Sequence, residues 1–212
     1  MARRRRAGLA GLLALSACVS VPAPLSDPSA ADPAAPAVFT VRFDTTAGSF
    51  EVEVHREWAP RGADRFHRLV AGGYYDRSAI FRVIPGYIAQ FGIAADPALA
   101  KAWRFAYIPD DPSREKCRRG MVGFADKAPD TRATQVFVNL ADNPQLDTGE
   151  FAPFGRVTAG MDVVDRLHGY GREGPQGERT DQSAIFEGGA AYLRKRFPAL
   201  DVIRRAAIVG ER

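Results

Sequence analysis

The chain has 212 residues, enough for one domain with a sizeable core and an additional segment. Its net charge of +4 depends on Arg3 to Arg6, because residues 1–18 contain no acid. Without those four arginines, 25 Lys and Arg balance 25 Asp and Glu. The folded part therefore lacks the excess positive charge that is typical of nucleic-acid-binding domains.

Residues 1–18 have the features of a secretory signal peptide. A basic start is followed by eleven small or apolar residues, Ala7 to Ala17, whereas a membrane-spanning helix needs roughly 20. The segment ends in Leu-Ser-Ala-Cys, which resembles a bacterial lipobox with Cys18 as the lipidated residue. Ordinary cleavage after Ala17 or Ala23 is the alternative. We therefore expect an exported protein of the cell envelope, anchored by lipid at Cys18 and facing the periplasm, or else soluble in the periplasm.

Residues 19–37 read as a linker. Five Pro, five Ala and three Ser fall between Val19 and Pro36, a composition that cannot build a core. An extended linker of this length would reach up to about 55 Å at ~3.1 Å per residue. The domain itself is expected to cover residues 38–212.

Disulfide and metal chemistry are not indicated by the sequence. If Cys18 is lipidated, Cys117 has no partner cysteine in the chain. The three histidines, His55, His67 and His168, have no metal-ligand spacing. We therefore expect neither a metal nor another cofactor.

The first half of the domain reads as two hairpins that flank a helix. Apolar residues alternate at 39–43 and 50–54 on either side of a turn at 45–48, which predicts a hairpin with one buried face. Pro60 suits a first helical turn, and Gly72-Gly73 ends the predicted helix. A second hairpin is predicted over residues 81–92, turning at Pro85-Gly86.

The second half alternates short strands with helices. Residues 96–113 read as an irregular excursion with a short helix at Pro97 to Trp103, in which the pair Asp110-Asp111 is solvated or capping. Strands are predicted at 120–124, 136–140 and 154–157, and a helix at 161–167. A surface loop at 168–179, a helix at 182–197 and a strand at 202–209 that returns to the first strand complete the chain. Together these elements indicate an all-β dominated fold, a closed antiparallel barrel with helical caps.

Two blocks of sequence resemble the cyclophilin family of peptidyl-prolyl cis-trans isomerases. The first is F-x-V-I-P-G-Y-x-x-Q-x-G at residues 81–92, with Arg82 in second place. The second comprises residues 124–126, 134–139, 146–147 and 151–157. The resemblance covers about residues 38–167, and the C-terminal helix and strand more loosely. It implies a closed, eight-stranded cyclophilin-like β-barrel capped by two helices, and catalysis of rotation about X-Pro bonds.

The resemblance also implies roles for ten residues. Arg82 matches the arginine that hydrogen-bonds to the prolyl nitrogen, and Gln90 matches the glutamine that helps to hold the substrate backbone. The other matches are substrate-binding: an apolar socket of Tyr87, Ile88, Phe137 and Leu146, a backbone-binding edge of Ala125 and Asp126, the second glutamine Gln135, and Phe151. Asn is usual in place of Asp126, and histidine is common in place of Phe151.

The chemistry requires no nucleophile or metal, because no covalent bond is made or broken. The rotational barrier of ~18–20 kcal/mol reflects amide resonance, so a donor aimed at the twisted nitrogen beside an apolar socket would lower it. Acceleration by four decades needs ~5.5 kcal/mol, whereas a charged hydrogen bond contributes ~1.5–3 kcal/mol. Arg82 is therefore insufficient alone, and a dry socket that binds the twisted amide must supply the rest.

Two other functions are compatible with parts of the sequence. One is a membrane-tethered module that grips proline-containing client segments with little or no catalysis. The other is a secreted hydrolase, although Ser78 and Ser183 lack a nucleophile-elbow setting. For the isomerase we expect proline-containing segments of unfolded or folding proteins as partners, a lipid anchor at Cys18 as the membrane contact, no nucleic acid, and a monomer.

Overall fold

The computed structural model describes residues 25–168 and 180–212, which form one antiparallel sheet with helices packed around it. The strands are β1 (Val38–Thr45), β2 (Ser49–His55), β3 (Arg82–Ile84), β4 (Ile88–Phe91), β5 (Met121–Phe124), β6 (Val136–Asn139), β7 (Pro153–Ala159) and β8 (Ile203–Glu211). The helices are α1 (Pro60–Ala71), α2 (Pro97–Trp103), α3 (Met161–Asp165), α4 (Gln182–Arg196) and a 3-10 helix, Pro144–Leu146. The predicted elements are therefore all present, with end points shifted by a few residues.

The sheet is a curled half-barrel, so the expectation of a closed barrel is wrong. Its strand order is β3-β4-β6-β5-β7-β2-β1-β8, and within the described residues the two outer strands form no ladder with each other. The chain just before β3 meets the chain just before β8 through one bridge, between Ala79 and Val202. Hydrogen bonds from Ile80 N to Asp201 O and from Ile203 N to Ser78 O flank it.

The seam stays open because β3 is short and its edge is occupied. The strand has only three residues before the turn at Pro85. Just ahead of it, the Phe81 carbonyl accepts from the Thr180 hydroxyl at 2.8 Å instead of from a neighbouring strand. The segment that leads into α4 therefore satisfies a backbone group that a closed barrel would pair with another strand.

The β1–β2 hairpin forms as its alternating sequence predicts. Val41 pairs with Val52 and Phe43 with Phe50, and their side chains are at most 1% exposed. The turn is closed by Thr45 N donating to Gly48 O at 2.9 Å. The buried face continues into an aromatic cluster whose ring centroids lie 4.8–6.5 Å apart: Phe39, Phe43, Phe50, Phe66, Tyr75, Phe91 and Phe154.

The N-terminus of α1 is capped by a residue 50 positions away. Ala59, at the N-cap, makes no side-chain cap bond. The Asp111 carboxylate instead accepts from Arg61 N at 3.0 Å and Gly62 N at 2.8 Å. This satisfies two of the unpaired N–H groups of the first turn and places a negative charge at the positive end of the helix. The capping role expected of the Asp110-Asp111 pair is confirmed for Asp111.

Residues 25–36, which we call the N-terminal strap, pack onto the domain, so the expectation of an extended linker is wrong for them. Leu25 is 2% exposed, and its carbonyl accepts from Trp103 Nε1 at 3.2 Å. Asp32 pairs with Arg65 at 2.8 Å and with Arg68 at 3.1 Å. The predicted signal peptide, Cys18, and residues 19–24 of the predicted linker lie outside the described residues.

The C-terminal region follows the prediction except in one detail. Helix α4 is interrupted at Gly189, which has φ +53° and ψ −146°, and Ala190 N donates to Ala95 O at 3.2 Å. A Cβ at Gly189 would lie 2.6 Å from that same carbonyl oxygen, so glycine is required at this contact. β8 pairs with β1, as predicted. Of the predicted surface loop, residues 169–179 lie outside the described residues.

None of the helices within residues 25–168 and 180–212 is long and apolar enough to cross a bilayer.

Candidate active site

The β3–β4 hairpin places the predicted catalytic pair side by side. Arg82 and Gln90 are opposite each other in the ladder, and Arg82 Nη1 donates to Gln90 Oε1 at 2.9 Å. Gln90 Nε2 donates in turn to Gln135 Oε1 at 2.9 Å, and Gln135 Nε2 to Gln182 Oε1 at 3.1 Å. Each link joins an N–H donor to an amide oxygen, so this chain of amides orients the guanidinium toward Gln90.

An apolar group adjoins this polar chain. Phe137 pairs with Gln90 across β4 and β6 and is 2% exposed, and Ile88 is 5% exposed. The ring of Phe151 meets the ring of Phe137 edge-on, with centroids 5.7 Å apart. Leu146 lies in the 3-10 helix. The result is an aromatic and aliphatic surface next to a charged donor.

A buried asparagine pair holds the Tyr87 end of this surface. Asn143 Nδ2 donates to Tyr87 O at 2.9 Å and to Asn139 Oδ1 at 2.7 Å. Asn139 Nδ2 donates to Met121 O at 2.9 Å. These bonds join the hairpin turn, β5, β6 and the 3-10 helix, so the position of Tyr87 and Leu146 depends on a satisfied polar network inside the fold.

All ten residues predicted for the site line one cleft of about 360 Å³. They are Arg82, Tyr87, Ile88, Gln90, Ala125, Asp126, Gln135, Phe137, Leu146 and Phe151. The structure therefore brings every predicted site residue together, with Arg82 facing the same hollow as the apolar group. Their roles remain predictions at this point.

Sequence reasoning missed part of the cleft wall. The additional lining residues come from the irregular excursion, from the loop after β5 and from the start of α4: Arg104, Phe105, Tyr107, Lys127, Thr131, Ala133, Thr134, Gln182, Ser183 and Phe186. An aromatic pair in a polar excursion, Phe105 and Tyr107, was a signal that could have been used. No local pattern distinguishes Gln182, because its link to Gln135 spans 47 residues.

Asp126 has an unusual electrostatic setting. Its Oδ2 is buried with no hydrogen-bond partner among the described residues. Burial, followed by the charges of Asp110 and Glu150, raises the pKa of Asp126 to about 6, against a smaller opposing effect of Arg132. The cleft therefore carries a carboxyl group whose charge changes just below neutral pH.

Replacing Asp126 by Asn should stabilise the protein at pH 7.5. The pKa of Asp126 is higher in the folded chain than the unperturbed 3.8, so the folded state is penalised progressively as pH rises from about 4 to 6 and by a constant amount above that. Because solvent screens a half-exposed carboxylate, we expect a gain of only about 1 kcal/mol, or roughly 2–4 °C in melting temperature. The gain should vanish at pH 3.5 in thermal melts. Glu57→Gln, at an exposed acid, is the control, and an equal gain for Asp126→Asn at both pH values would contradict the assignment.

The residues considered for a hydrolase do not form nucleophilic machinery. Ser78 is 1% exposed, and its hydroxyl donates to Tyr75 O at 2.6 Å. Ser183 lines the cleft, and its N–H caps α4 by donating to Asp181. Burial raises the pKa of the Cys117 thiol to about 11, so it is protonated at neutral pH. Across the described ranges, no group of three or more His, Cys, Asp or Glu side chains could hold a metal ion.

The sequence of this chain is similar to those of known peptidyl-prolyl cis-trans isomerases over the region that contains the cleft. Residues 40–186 match the sequence model of the family described as cyclophilin type peptidyl-prolyl cis-trans isomerase/CLD. A peptidyl-prolyl cis-trans isomerase-like 1 of Aspergillus fumigatus is 34% identical over 130 residues, covering 60% of this chain and 80% of the relative. The Rhizopus delemar protein of the same name is 34% identical over 134 residues, 60% of this chain and 78% of its own.

Solved structures show the same fold. A cyclophilin type peptidyl-prolyl cis-trans isomerase of Cryptosporidium parvum superposes with a TM-score of 0.61 at 22% identity, over 82% of this chain and 99% of that one. A second structure of that protein, obtained in the presence of the dipeptide Ala-Pro, gives 0.59 at 24% identity, over 81% and 99%. With the family model matched over more than half of its length, this chain belongs to the cyclophilin-type peptidyl-prolyl cis-trans isomerase family.

Proposed function

We propose that this isomerase catalyses cis–trans isomerisation of X-Pro peptide bonds in the cleft beside Arg82, with Arg82 and Gln90 as its catalytic pair. The observation that carries the proposal is the guanidinium of Arg82, held by Gln90 at 2.9 Å on the wall of a cleft that Phe137 and Leu146 also line. A charge-assisted donor and an apolar surface in one hollow are what a twisted prolyl amide needs.

In this mechanism the proline ring occupies the apolar socket while the acyl side turns. As the amide twists, its nitrogen becomes pyramidal and basic, and Arg82 donates to it. The amide chain through Gln90 and Gln135 keeps the guanidinium aligned, so that little reorganisation accompanies the reaction. No proton is transferred and no covalent intermediate forms.

The substrate main chain would run along residues 125 and 126. Ala125 N already donates to Gln135 O at 2.9 Å, so the pairing with substrate falls to the other backbone groups of these two residues. The Cryptosporidium parvum relative crystallised in the presence of Ala-Pro supports proline-containing segments as ligands of this fold.

Exchange spectroscopy by NMR on a short peptide with one Ala-Pro bond tests the proposal. With a catalytic amount of protein, we expect cis–trans exchange cross-peaks on the sub-second scale, where the free peptide exchanges over tens of seconds. Peptide resonances that shift with protein but show no exchange would instead identify a binding module without turnover. That result would overturn the catalytic proposal and leave only recognition of proline.

We place this activity in the cell envelope, on exported proteins that are folding. The support is the signal-like segment at residues 1–18 and the lipobox-like sequence that ends in Cys18. Because the N-terminal strap begins at Leu25, only residues 19–24 separate it from Cys18. The seven residue-to-residue steps from Cys18 to Leu25 span at most about 25 Å, so a lipid anchor would hold the domain close to the membrane.

The intact mass of the mature protein from the membrane fraction tests this placement. We expect a chain that begins at Cys18 and carries added acyl mass, and we expect the acyl mass to be lost in Cys18→Ser. A mature chain that is cleaved after Ala17 or Ala23 and carries no acyl mass would contradict the anchor. Light scattering on the acyl-free protein tests the monomer that we also propose.

A further inference from the structure

The N-terminal strap is anchored in the core at its first described residue. The Leu25 side chain fills the space beside Gly72, where a Cβ would lie 2.4 Å from it. Together with the bond from Trp103 Nε1 to the Leu25 carbonyl, this contact covers the indole of Trp103, which is 0% exposed. A freely moving leader would not occupy a site of this depth.

Two arginines of α1 depend on the strap for charge balance. Arg65 and Arg68 are only 3% and 6% exposed. Arg65 Nε donates to Asp32 Oδ2 at 2.8 Å, and Arg68 Nη1 donates to Asp32 Oδ1 at 3.1 Å. Their guanidinium carbons lie 5.2 and 4.8 Å from the ring centroid of Trp103. Removing the carboxylate would leave two buried cations without this counter-charge.

Arg65 also bonds to the wall of the cleft. Its Nη1 donates to Ala106 O at 2.5 Å and to Ala133 O at 3.2 Å. Ala106 lies between Phe105 and Tyr107, both of which line the cleft, as does Ala133. One guanidinium therefore joins the strap, the excursion and the chain leading into β6.

The part of the wall that Arg65 holds is apolar and exposed. Phe105 is 66% exposed and Tyr107 is 48% exposed, with ring centroids 6.0 Å apart. The same two residues also border a groove whose other side is formed by strap residues 28–32. An exposed aromatic pair next to a catalytic cleft offers a surface for side chains that flank the proline of a client.

We infer that Asp32 and Arg65 are positioning residues, through which the N-terminal strap sets the aromatic wall of the substrate cleft. The client chain contacts Phe105 and Tyr107 outside the socket, and the strap keeps the Ala106 carbonyl between them in place. This inference rests on the proposed function of the cleft. It assigns the strap to substrate binding and leaves the rotation step to Arg82.

The test loosens the strap in two independent ways, with Asp32→Ala and with Leu25→Ala. Both are made in the full chain, which also carries Trp58→Phe. The sequence has two tryptophans, so this background leaves Trp103 as the only fluorescent indole. We expect Trp103 emission to move to longer wavelength and to become accessible to acrylamide. For an eight-residue peptide with apolar residues on both sides of Ala-Pro, we expect KM to rise about 3- to 10-fold and kcat to change by less than about twofold.

A matched core variant separates positioning from general loss of stability. Val164→Ala truncates a buried residue of α3 that lines neither the cleft nor the groove, and it should change neither Trp103 emission nor KM. Exposure of Trp103 with an unchanged KM would overturn the inference, and so would an unchanged Trp103 signal in both strap variants. The inference would also be overturned if KM rose in the strap variants by no more than it rises in Val164→Ala.

Peptide affinity keeps this test distinct from the test of the proposed function. If the parent protein showed no catalysed exchange, the proposed turnover would fail, yet fluorescence anisotropy of the labelled peptide would still measure the strap effect. A 3- to 10-fold weaker Kd in both strap variants would then support the inference, and equal Kd values would contradict it.

Discussion

Replacing Arg82 by Ala should lower kcat/KM for an Ala-Pro peptide by about 10- to 150-fold, mainly through kcat. A hydrogen bond from a charged group is worth ~1.5–3 kcal/mol, and each factor of ten in rate corresponds to 1.36 kcal/mol. The loss should stop short of the whole acceleration, because the apolar socket is left intact and continues to bind the proline. Exchange spectroscopy or a protease-free assay measures the change.

Two further arginine variants sharpen this prediction. Arg82→Lys keeps the charge but loses the planar fork, so it should recover only part of the rate. Arg118→Ala removes an arginine whose side chain is 56% exposed and which does not line the cleft, and it should leave the rate unchanged. Full activity in Arg82→Ala would show that the guanidinium takes no part in the rotation.

Replacing Arg132 by Met should destabilise the protein by about 3–5 kcal/mol. The Arg132 side chain is 1% exposed, and its Nη1 lies 3.1 Å from Asp111 Oδ2. Its Nε is 2.9 Å from Asp110 Oδ1, although the pair is too poorly aligned to count as a hydrogen bond. Nη2 donates to the Pro109 carbonyl. Methionine would fill the volume but leave the buried Asp111 without its cation.

Urea unfolding measures this loss, and a surface arginine provides the comparison. Arg166 pairs with Asp162 one helical turn away, with side chains 59% and 73% exposed, so Arg166→Met should cost no more than about 0.5 kcal/mol. Similar midpoints for the two variants would mean that the Arg132 ion pairs contribute no more than a solvated pair. Asp111 also caps α1, so the ion pair with Arg132 is coupled to the packing of that helix. The Arg132 variant should therefore unfold in a single transition with the rest of the domain.

The site was predictable because its residues lie in short, contiguous motifs. Arg82 and Gln90 are eight residues apart in one hairpin, so strand alternation and the Pro-Gly turn are enough to place them opposite each other. The second block is similarly local: Phe137 lies in a four-residue strand, and Leu146 follows in the next turn. Local pattern and resemblance together were therefore enough to predict which residues meet in the cleft, and their catalytic and binding roles stay predictions.

The parts that sequence reasoning missed depend on contacts between distant segments. The composition of residues 25–36 predicts an extended linker, yet Leu25 and Asp32 meet buried partners 33 to 78 positions away. Arg132 lies between two predicted strands in a segment with no buried pattern of its own, and only its approach to Asp111 makes it a buried ion. The closed barrel failed for the same reason, since the bond between Thr180 and Phe81 spans 99 residues.

Local sequence patterns were enough to predict a cationic donor, an amide partner and an apolar socket on neighbouring strands, and to indicate the family that the comparisons show. Strand periodicity and turn residues act over a few positions, so they can be read without coordinates. Three features became visible only in the folded chain: the residues that form the rest of the cleft wall, the raised pKa of Asp126, and the packing of the N-terminal strap onto the domain. Burial and charge pairing depend on which distant residues share a low-dielectric space, and no local pattern specifies that.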